Sequence, residues 1–328
     1  MLTFIYSTCR KNPMFHWFVD SLFIQANECN FDTSKIQIVI VDFELQYDST
    51  RIEMVKEIIN NRFDYTHVES KPSPYQGKHR LTSCDFFAAS NARNTGVCYA
   101  KNNYVVFVDD LCILTHKSFL TIIECANRNI VVGFAYKKVL DMEIDNGILI
   151  NHGRVVEEDH RLSLEPREEF RIIEGQQVYG YNACPLEVIL KVNGYDEISN
   201  MVGQEDCNFG SRISKAGYDI YYARNVLFYE SENHVYVDNI FKKREIVLEE
   251  DHYKQIMNEF NIPERWYSGN SYHTVHIQHD LLKKDTYWTH GNDFNLRELR
   301  DKILEGGKFS CEFPEDAKSI DGIFLKDL

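Results

Sequence analysis

The sequence predicts an α/β fold with a mainly parallel sheet flanked by helices, and three observations carry that expectation. The first is a set of short apolar runs, Leu2 to Tyr6, Ile36 to Val41 and Tyr104 to Val108. The second of these, IQIVIV, is nearly continuous, as a strand covered on both faces must be. The second observation is that helical spacing separates the runs, giving strand–helix–strand–helix–strand. Such an order closes into right-handed parallel crossovers. The third is where polar residues fall. Thr8 and Arg10 follow the first run, Asp42 the second and Asp109-Asp110 the third. In sheets of this kind ligands bind beyond the carboxyl ends of the strands.

The elements follow in order. Pro13 to Ala26 repeats apolar residues at helical spacing through Phe15, Phe18, Val19, Leu22 and Phe23. Arg51 to Arg62 does so through Ile52, Val55, Ile58 and Ile59, and Ala88 to Ala100 forms a third helix. The segment from Leu140 to Glu174 is rich in charge (EEDHR, EPREEF) and is expected to be a surface excursion with some antiparallel pairing. Leu186 to Val192 reads as a short helix closed by Asn193-Gly194. Cys207 to Ala216 is a helix ended by Gly217, with Glu205 and Asp206 at its start. Tyr221 to Tyr229 reads as a strand. Amphipathic helices around Ile240–His252 and Leu296–Leu304 build a C-terminal helical and loop extension.

Composition bounds the function. The chain has 328 residues and a formal net charge of −14, from 36 Lys+Arg and 50 Asp+Glu. An acid excess argues against a nucleic-acid coat, which needs clustered Lys and Arg against phosphate. At 44% hydrophobic and 26% charged it is an ordinary folded protein. Its nine cysteines form no CxxC pair, so they are expected as free thiols of a reducing compartment. The N-terminus lacks the charge order of a signal peptide, and no apolar run reaches a membrane span. The expected location is therefore the cytoplasm.

Two acidic pairs hold most of the chemistry. Asp109 and Asp110 repel each other unless a cation or solvent screens them, and Leu111 to Leu114 after them is apolar. A pair held at the edge of a core suits a hard divalent ion. Glu205 and Asp206 serve either as acidic residues capping a helix N-terminus or as a carboxylate that abstracts a proton; position alone leaves both open. His273, His276 and His279 recur every third residue, a spacing that fans them around a helix or splits them between strand faces. They read as surface or substrate-contact residues. Arg265-Trp266-Tyr267 and Tyr287-Trp288 read as packing anchors, with sugar stacking as the alternative.

Together the segments resemble the GT-A class of nucleotide-sugar-dependent glycosyltransferases, family-two-like, with a galactosyltransferase-type G-x-E-D acceptor-side block. IQIVIVD (36–42), SNARNTGVCYAKNNYVVFVDD (90–110), NACPLEVILKVNGYDE (182–197) and GQEDCNFGSRISKAGYDIYY (203–222) carry the likeness, which covers residues 2–235. It implies a Rossmann-like GT-A domain over 1–235, nucleotide-binding in 1–125 and acceptor-binding in 126–235, with residues 236–328 packed on it as an extension. It assigns Asp42 to the nucleotide base, Asp109, Asp110 and His234 to Mn²⁺ or Mg²⁺, and Asp206 to the general base. Glu205 is assigned to orienting the acceptor. Thr8 and Arg10, at a strand end, join the donor site; Arg93 and the basic residues of Gln76 to Arg80 either reach the diphosphate or are solvated loop charges.

The expected reaction is transfer of a hexosyl or pentosyl unit from a nucleotide-diphosphate sugar, UDP-linked, to a hydroxyl acceptor with inversion. One position departs from the family: the third acid of D-x-D is replaced by Leu111, which puts the metal in question. A retaining enzyme of the same fold and a catalytically silent glycan- or nucleotide-binding protein are the alternatives. A glycosidase is disfavoured, because two adjacent Asp residues cannot flank a scissile bond. Glycans, lipid-linked sugars, protein side chains and hydroxymethylated DNA bases remain as acceptors, DNA being the least favoured by the net charge.

Overall fold

The computed structural model describes residues 1–73, 76–77, 87–197, 205–233, 292 and 294–310. The first, all-parallel part of the sheet is built on β1 (Leu2–Thr8), buried along its whole length. It pairs in parallel with β2 (Ile36–Asp42), and β2 in turn carries β3 (Asp64–Val68). On its other side β1 pairs in parallel with β4 (Tyr104–Val108). Side chains alternate between the two faces, as a period of two demands. Phe4, Tyr6, Ile38, Ile40, Val106 and Val108 enter one core. Ile5, Val39, Val41, Val105 and Phe107 enter the other. Two covered faces are why these strands read as unbroken apolar runs.

Beyond β4 the sheet becomes mixed. The short β5 (Cys112–Leu114) precedes the long β6 (Val131–Val139). A hairpin of β7 (Glu143–Asp145) and β8 (Ile148–Asn151) stands apart from the main sheet. Strands β9 (Val155–Glu158), β10 (Phe170–Ile173), β11 (Asn182–Pro185) and β12 (Ile220–Ser231) complete it. The path runs β10-β12-β6-β11-β4-β1-β2-β3, with β5 on β12 and β9 on β6. Because β11 is antiparallel to both β4 and β6, β6 and its parallel partner β12 run in the direction of β1. The carboxyl ends of β1, β2, β4, β6 and β12 therefore share one edge.

Helices α1 (Phe15–Glu28), α2 (Arg51–Ile59), α3 (Ala89–Tyr99) and α4 (Ser118–Arg128) cover the first half. Helices α5 (Leu186–Lys191), α6 (Glu205–Lys215) and α7 (Leu296–Leu304) follow. Helix α2 stops at Ile59 rather than Arg62, because Asn60 and Asn61 both turn to positive φ. It also buries Arg51, Val55 and Ile59 while leaving Ile52 exposed, so the face expected from the apolar spacing is rotated. Arg51 goes inward to meet a carboxylate described below. Helix α6 starts at Glu205, two residues before the expected Cys207, and so carries both acids in its first turn.

The charged 140–174 segment is a surface excursion only in part. Strands β7 to β9 are largely exposed, but Asp159 and Arg161 are wholly buried as an ion pair, 0% exposed on both sides. Arg161 also donates to the carbonyls of Phe134 and Gln177, at 2.8 and 2.6 Å, and its guanidinium lies over the rings of Tyr179 and Tyr222. A fully paired cation can be buried where an unpaired one cannot. The described cysteines are all free thiols. No described helix is long and apolar enough to cross a membrane. The expected helix around 240–252, the His273–His279 repeat and both Trp-bearing loops lie outside the described residues.

Candidate active site

The site is built where β1, β2 and β4 end. Thr8 lies level with Asp42 in the β1–β2 register, and Tyr6 level with Val108, so Thr8 faces the residues after β4. Its hydroxyl donates to Asp110 Oδ2 at 2.7 Å, and Arg10 Nε donates to Asp110 Oδ1 at 2.9 Å. Burial pushes the Asp110 carboxyl upward, and Arg10 and the Thr8 hydrogen bond pull the other way. The next residue, Leu111, is fully buried at φ +55°, a left-handed turn that a leucine rarely adopts. The position where the family carries a third acid is therefore part of the core.

At the end of β2, Asp42 turns inward. Arg51 Nε donates to its Oδ2 at 2.7 Å, His67 Nε2 lies 3.1 Å from the same oxygen, and the Glu44 N–H donates to Oδ1 at 3.1 Å. Arg51 also donates to the carbonyls of Lys11 at 2.8 Å and Arg10 at 3.1 Å. Asp42 thus braces the loop that presents Arg10, with its side chain 1% exposed. A cleft of about 80 Å³ next to it is lined by Phe43, Gln46, Lys71 and Gln76. Of the Gln76–Arg80 segment, Gln76 accepts from the Ala88 N–H at 2.8 Å, and Lys78, His79 and Arg80 lie outside the described residues.

Helix α3 brings Arg93 to the same edge. Ala89 through Cys98 are all buried, although half of them are polar. Gly96 seats the helix directly on β1: a Cβ there would stand 2.4 Å from the Ile5 side chain. Buried polar groups need partners, and Asn94 finds them in the turn after α5. It donates to the Tyr195 carbonyl and accepts from the Tyr195 N–H, both at 2.8 Å. The ARN and NGYDE motifs are thus two halves of one contact. Arg93 donates to Asp109 Oδ1 at 3.1 Å and to Glu205 Oε1 at 2.7 Å, its guanidinium 5.1 Å from the Tyr195 ring centre.

Helix α6 supplies the second acidic pair. Glu205 is buried against Arg93, whereas Asp206 is half-buried and accepts the Cys207 N–H at 2.7 Å. Burial and the neighbouring Glu205 push the Asp206 carboxyl up to about 7, against the pull of Arg93. The structure therefore brings Asp109, Arg93, Glu205 and Asp206 into one chain of charges, with Thr8, Arg10 and Asp110 beside it. Asp42 stands behind the cleft. His234 lies outside the described residues.

Several residues went unmarked in the sequence. Arg51 and His67, the partners of Asp42, carried no signal beyond a helix start and a strand position. Glu230 on β12 lies opposite Cys112 and Lys138 and accepts from the Tyr181 hydroxyl at 3.1 Å. Burial pushes it up to about 8, with Lys138 opposing and Asp109, Glu232 and Asp110 adding to the rise. Gly180 is required by space: a Cβ would stand 2.3 Å from Asp109 Oδ2.

No protein-family model matches the sequence, and no curated protein matches it. Solved structures do. S. aureus TarS 1–349 in complex with UDP-GlcNAc matches over 94% of this chain and 93% of that one, at 12% identity and a TM-score of 0.50. A longer S. aureus TarS chain, of which this chain spans 44%, gives 0.48 at 13% identity over 81% of this chain. GalNAc-T7 with UDP, GalNAc and Mn²⁺ gives 0.49 at 12% identity, over 94% of this chain and 58% of that one. At such identities the likeness speaks for the fold. The sheet is mostly parallel, helices flank it, and the polar residues gather at the carboxyl edge of its parallel strands; the chain has the GT-A fold.

Proposed function

We propose that this chain is a glycosyltransferase that moves a hexosyl or pentosyl unit from a UDP-linked sugar to an acceptor hydroxyl, with inversion at the anomeric carbon. One observation carries the reading. Asp109 after β4 and the Glu205–Asp206 pair at the start of α6 meet at one sheet edge through Arg93. The TarS structure of the same fold holds UDP-GlcNAc, which supports a nucleotide-sugar donor here.

In the proposed step Asp206 removes the acceptor proton as the acceptor oxygen bonds to the anomeric carbon. The bond from that carbon to the diphosphate oxygen breaks, and its electron pair leaves with UDP. A base serves best when its pKa lies near the working pH, and Asp206 at about 7 meets that condition. Glu205, fixed by Arg93, orients the acceptor hydroxyl. Thr8, Arg10, Asp109 and Asp110 form the donor side, braced by Arg93 and Asp42, with the nucleotide base beside Phe43. Glycan or other hydroxyl-bearing acceptors fit this chemistry, and the acidic net charge disfavours DNA.

The expected Mn²⁺ or Mg²⁺ site fits poorly with the described residues. Asp110 already gives its two oxygens to Thr8 and Arg10. Leu111 is buried, and no group of three His, Cys, Asp or Glu side chains is placed to hold an ion among the described residues. Within the Asp109–Asp110 pair, Asp109 Oδ2 alone accepts no hydrogen bond from the described residues. The step above is therefore not routed through a metal.

The test is incubation with a panel of UDP-sugars and hydroxyl acceptors, following UDP release and product mass. The proposal expects UDP release that Asp206→Asn abolishes while UDP affinity stays nearly unchanged. Unchanged transfer in that variant removes Asp206 as base. Proton NMR of the product reads inversion against retention. The buried Leu111 favours a second reading, a protein that binds donor without turnover. Nucleotide binding with no product after prolonged incubation identifies it.

A further inference from the structure

We propose that Arg93 is a positioning residue: it ties Glu205 at the start of α6 to Asp109 at the end of β4, and so fixes where Asp206 stands against the donor, instead of gripping the diphosphate itself. The inference rests on the transferase reading for its consequence, but not for its geometry.

Both terminal nitrogens of Arg93 are engaged, Nη1 by Glu205 at 2.7 Å and Nη2 by Asp109 at 3.1 Å. The residue is 5% exposed, and its guanidinium lies over the Tyr195 ring. The Glu205 pair is buried and the Asp109 pair is open on the Asp109 side, so a phosphate at the guanidinium would compete with both carboxylates for its donors. Breaking a buried pair is costly because it leaves an uncompensated charge. The planar fork of arginine suits a bidentate bridge between two carboxylates in a way a lysine ammonium does not.

The strut is anchored at both ends. Helix α3 is seated on β1 by Gly96 and clamped to the Tyr195 turn by Asn94. At the far end Gly180 leaves the space the bridge needs. A Cβ there would stand 2.3 Å from Asp109 Oδ2 and 3.4 Å from Arg93 Nη2. A functional group is held to useful precision only when its supports are themselves locked.

The bridge also sets charge. Around Asp206 the described ionisable groups are Glu205 and Cys207 on α6, Arg93 on α3, Asp109 after β4, Tyr195 after α5 and Tyr179 before β11. Arg93 is the cation among them that holds the Asp206 carboxyl down, and Glu205 and Asp109 push it up. Removing Arg93 leaves three acids facing each other.

The experiment compares wild type with Arg93→Gln, Arg93→Lys and Glu205→Gln in three readouts. These are the ¹³C NMR titration of the Asp206 side-chain carboxyl, the pH dependence of UDP release, and the rise in Tm on adding UDP. We expect Arg93→Gln to raise the Asp206 midpoint by about one pH unit or more. UDP release at pH 7 should fall at least about tenfold while the UDP-induced rise in Tm is kept. Arg93→Lys restores part of both, and Glu205→Gln, which keeps Arg93 and Asp109 paired, moves the midpoint the other way. An unmoved midpoint with the UDP-induced rise lost overturns the proposal and makes Arg93 a diphosphate ligand. An unmoved midpoint with UDP release intact also overturns it. If wild type neither binds nor releases UDP, the transferase reading fails alone, because the carboxyl titration still decides the role of Arg93.

Discussion

Asp206 is where residue chemistry is most open to measurement. Burial beside Glu205 pushes its carboxyl up to about 7. A base must be ionised to act, so UDP release should fall as the pH drops through 7. A profile with its midpoint near 4, the ordinary value for Asp, contradicts that assignment. The same shift has a cost in stability. A carboxylate whose folded pKa is raised binds its proton more tightly in the native state, so the protein gains stability as pH falls from above 7 toward 4. Asp206→Asn removes the cost of the buried charge and should raise Tm at pH 8, with the gain vanishing near pH 4. It should also lower transfer by at least about a hundredfold. A thermal melt at the two pH values, run with the rate assay, checks both. That Glu205 and Asp206 begin a helix was legible from the spacing after them, whereas the role of Asp206 as base came from the family resemblance. Asp42 was legible as a strand end only, since nothing local shows that Arg51 and His67 would take both its oxygen and its exposure.

Among the elements, α6 depends on close backbone contact. A Cβ on Gly210 would stand 2.2 Å from the Gly175 carbonyl oxygen and 2.4 Å from the Val178 side chain. Gly210→Ala must push the helix away and carry Asp206 with it. We expect a loss of about 1–3 kcal/mol in a urea melt, with transfer reduced and UDP affinity nearly kept. Wild-type transfer in that variant contradicts the rigid seating of α6. Arg161 stands at the opposite extreme, a charge wholly inside the protein. Arg161→Met strands Asp159 and should cost about 3–5 kcal/mol, and adding Asp159→Asn should recover part of that. Equal stabilities of the single and double variants count against the pairing. These residues also show where sequence reading stops. The runs of β1, β2 and β4 announce themselves because both faces are covered. EEDHR reads as solvent-facing, because composition does not reveal that an Asp and an Arg two residues apart will fold back on each other beneath two tyrosines. The left-handed turn at Leu111 is equally silent, as it is set by the β4–β5 connection and not by the leucine.

For the whole molecule, the parallel centre and the edge that gathers the acids were readable from strand order. The antiparallel insertion of β11 between β4 and β6 was not, since it comes from a strand 70-odd residues further along the chain. The described part of the C-terminal region docks by α7: Arg300 donates to the Ala100 carbonyl at 2.7 Å, and Asn193 accepts from the Leu296 N–H at 2.7 Å. The central claim is that this GT-A sheet edge holds a nucleotide-diphosphate sugar. The most direct measurement is a thermal-shift panel of UDP, GDP, CDP, ADP and TDP, each with and without Mn²⁺. A ligand at 100 times its Kd adds about 2.7 kcal/mol, enough for a shift of several degrees. The account predicts such a shift with UDP and smaller ones with the other four. No shift with any nucleotide, with or without the ion, would contradict it.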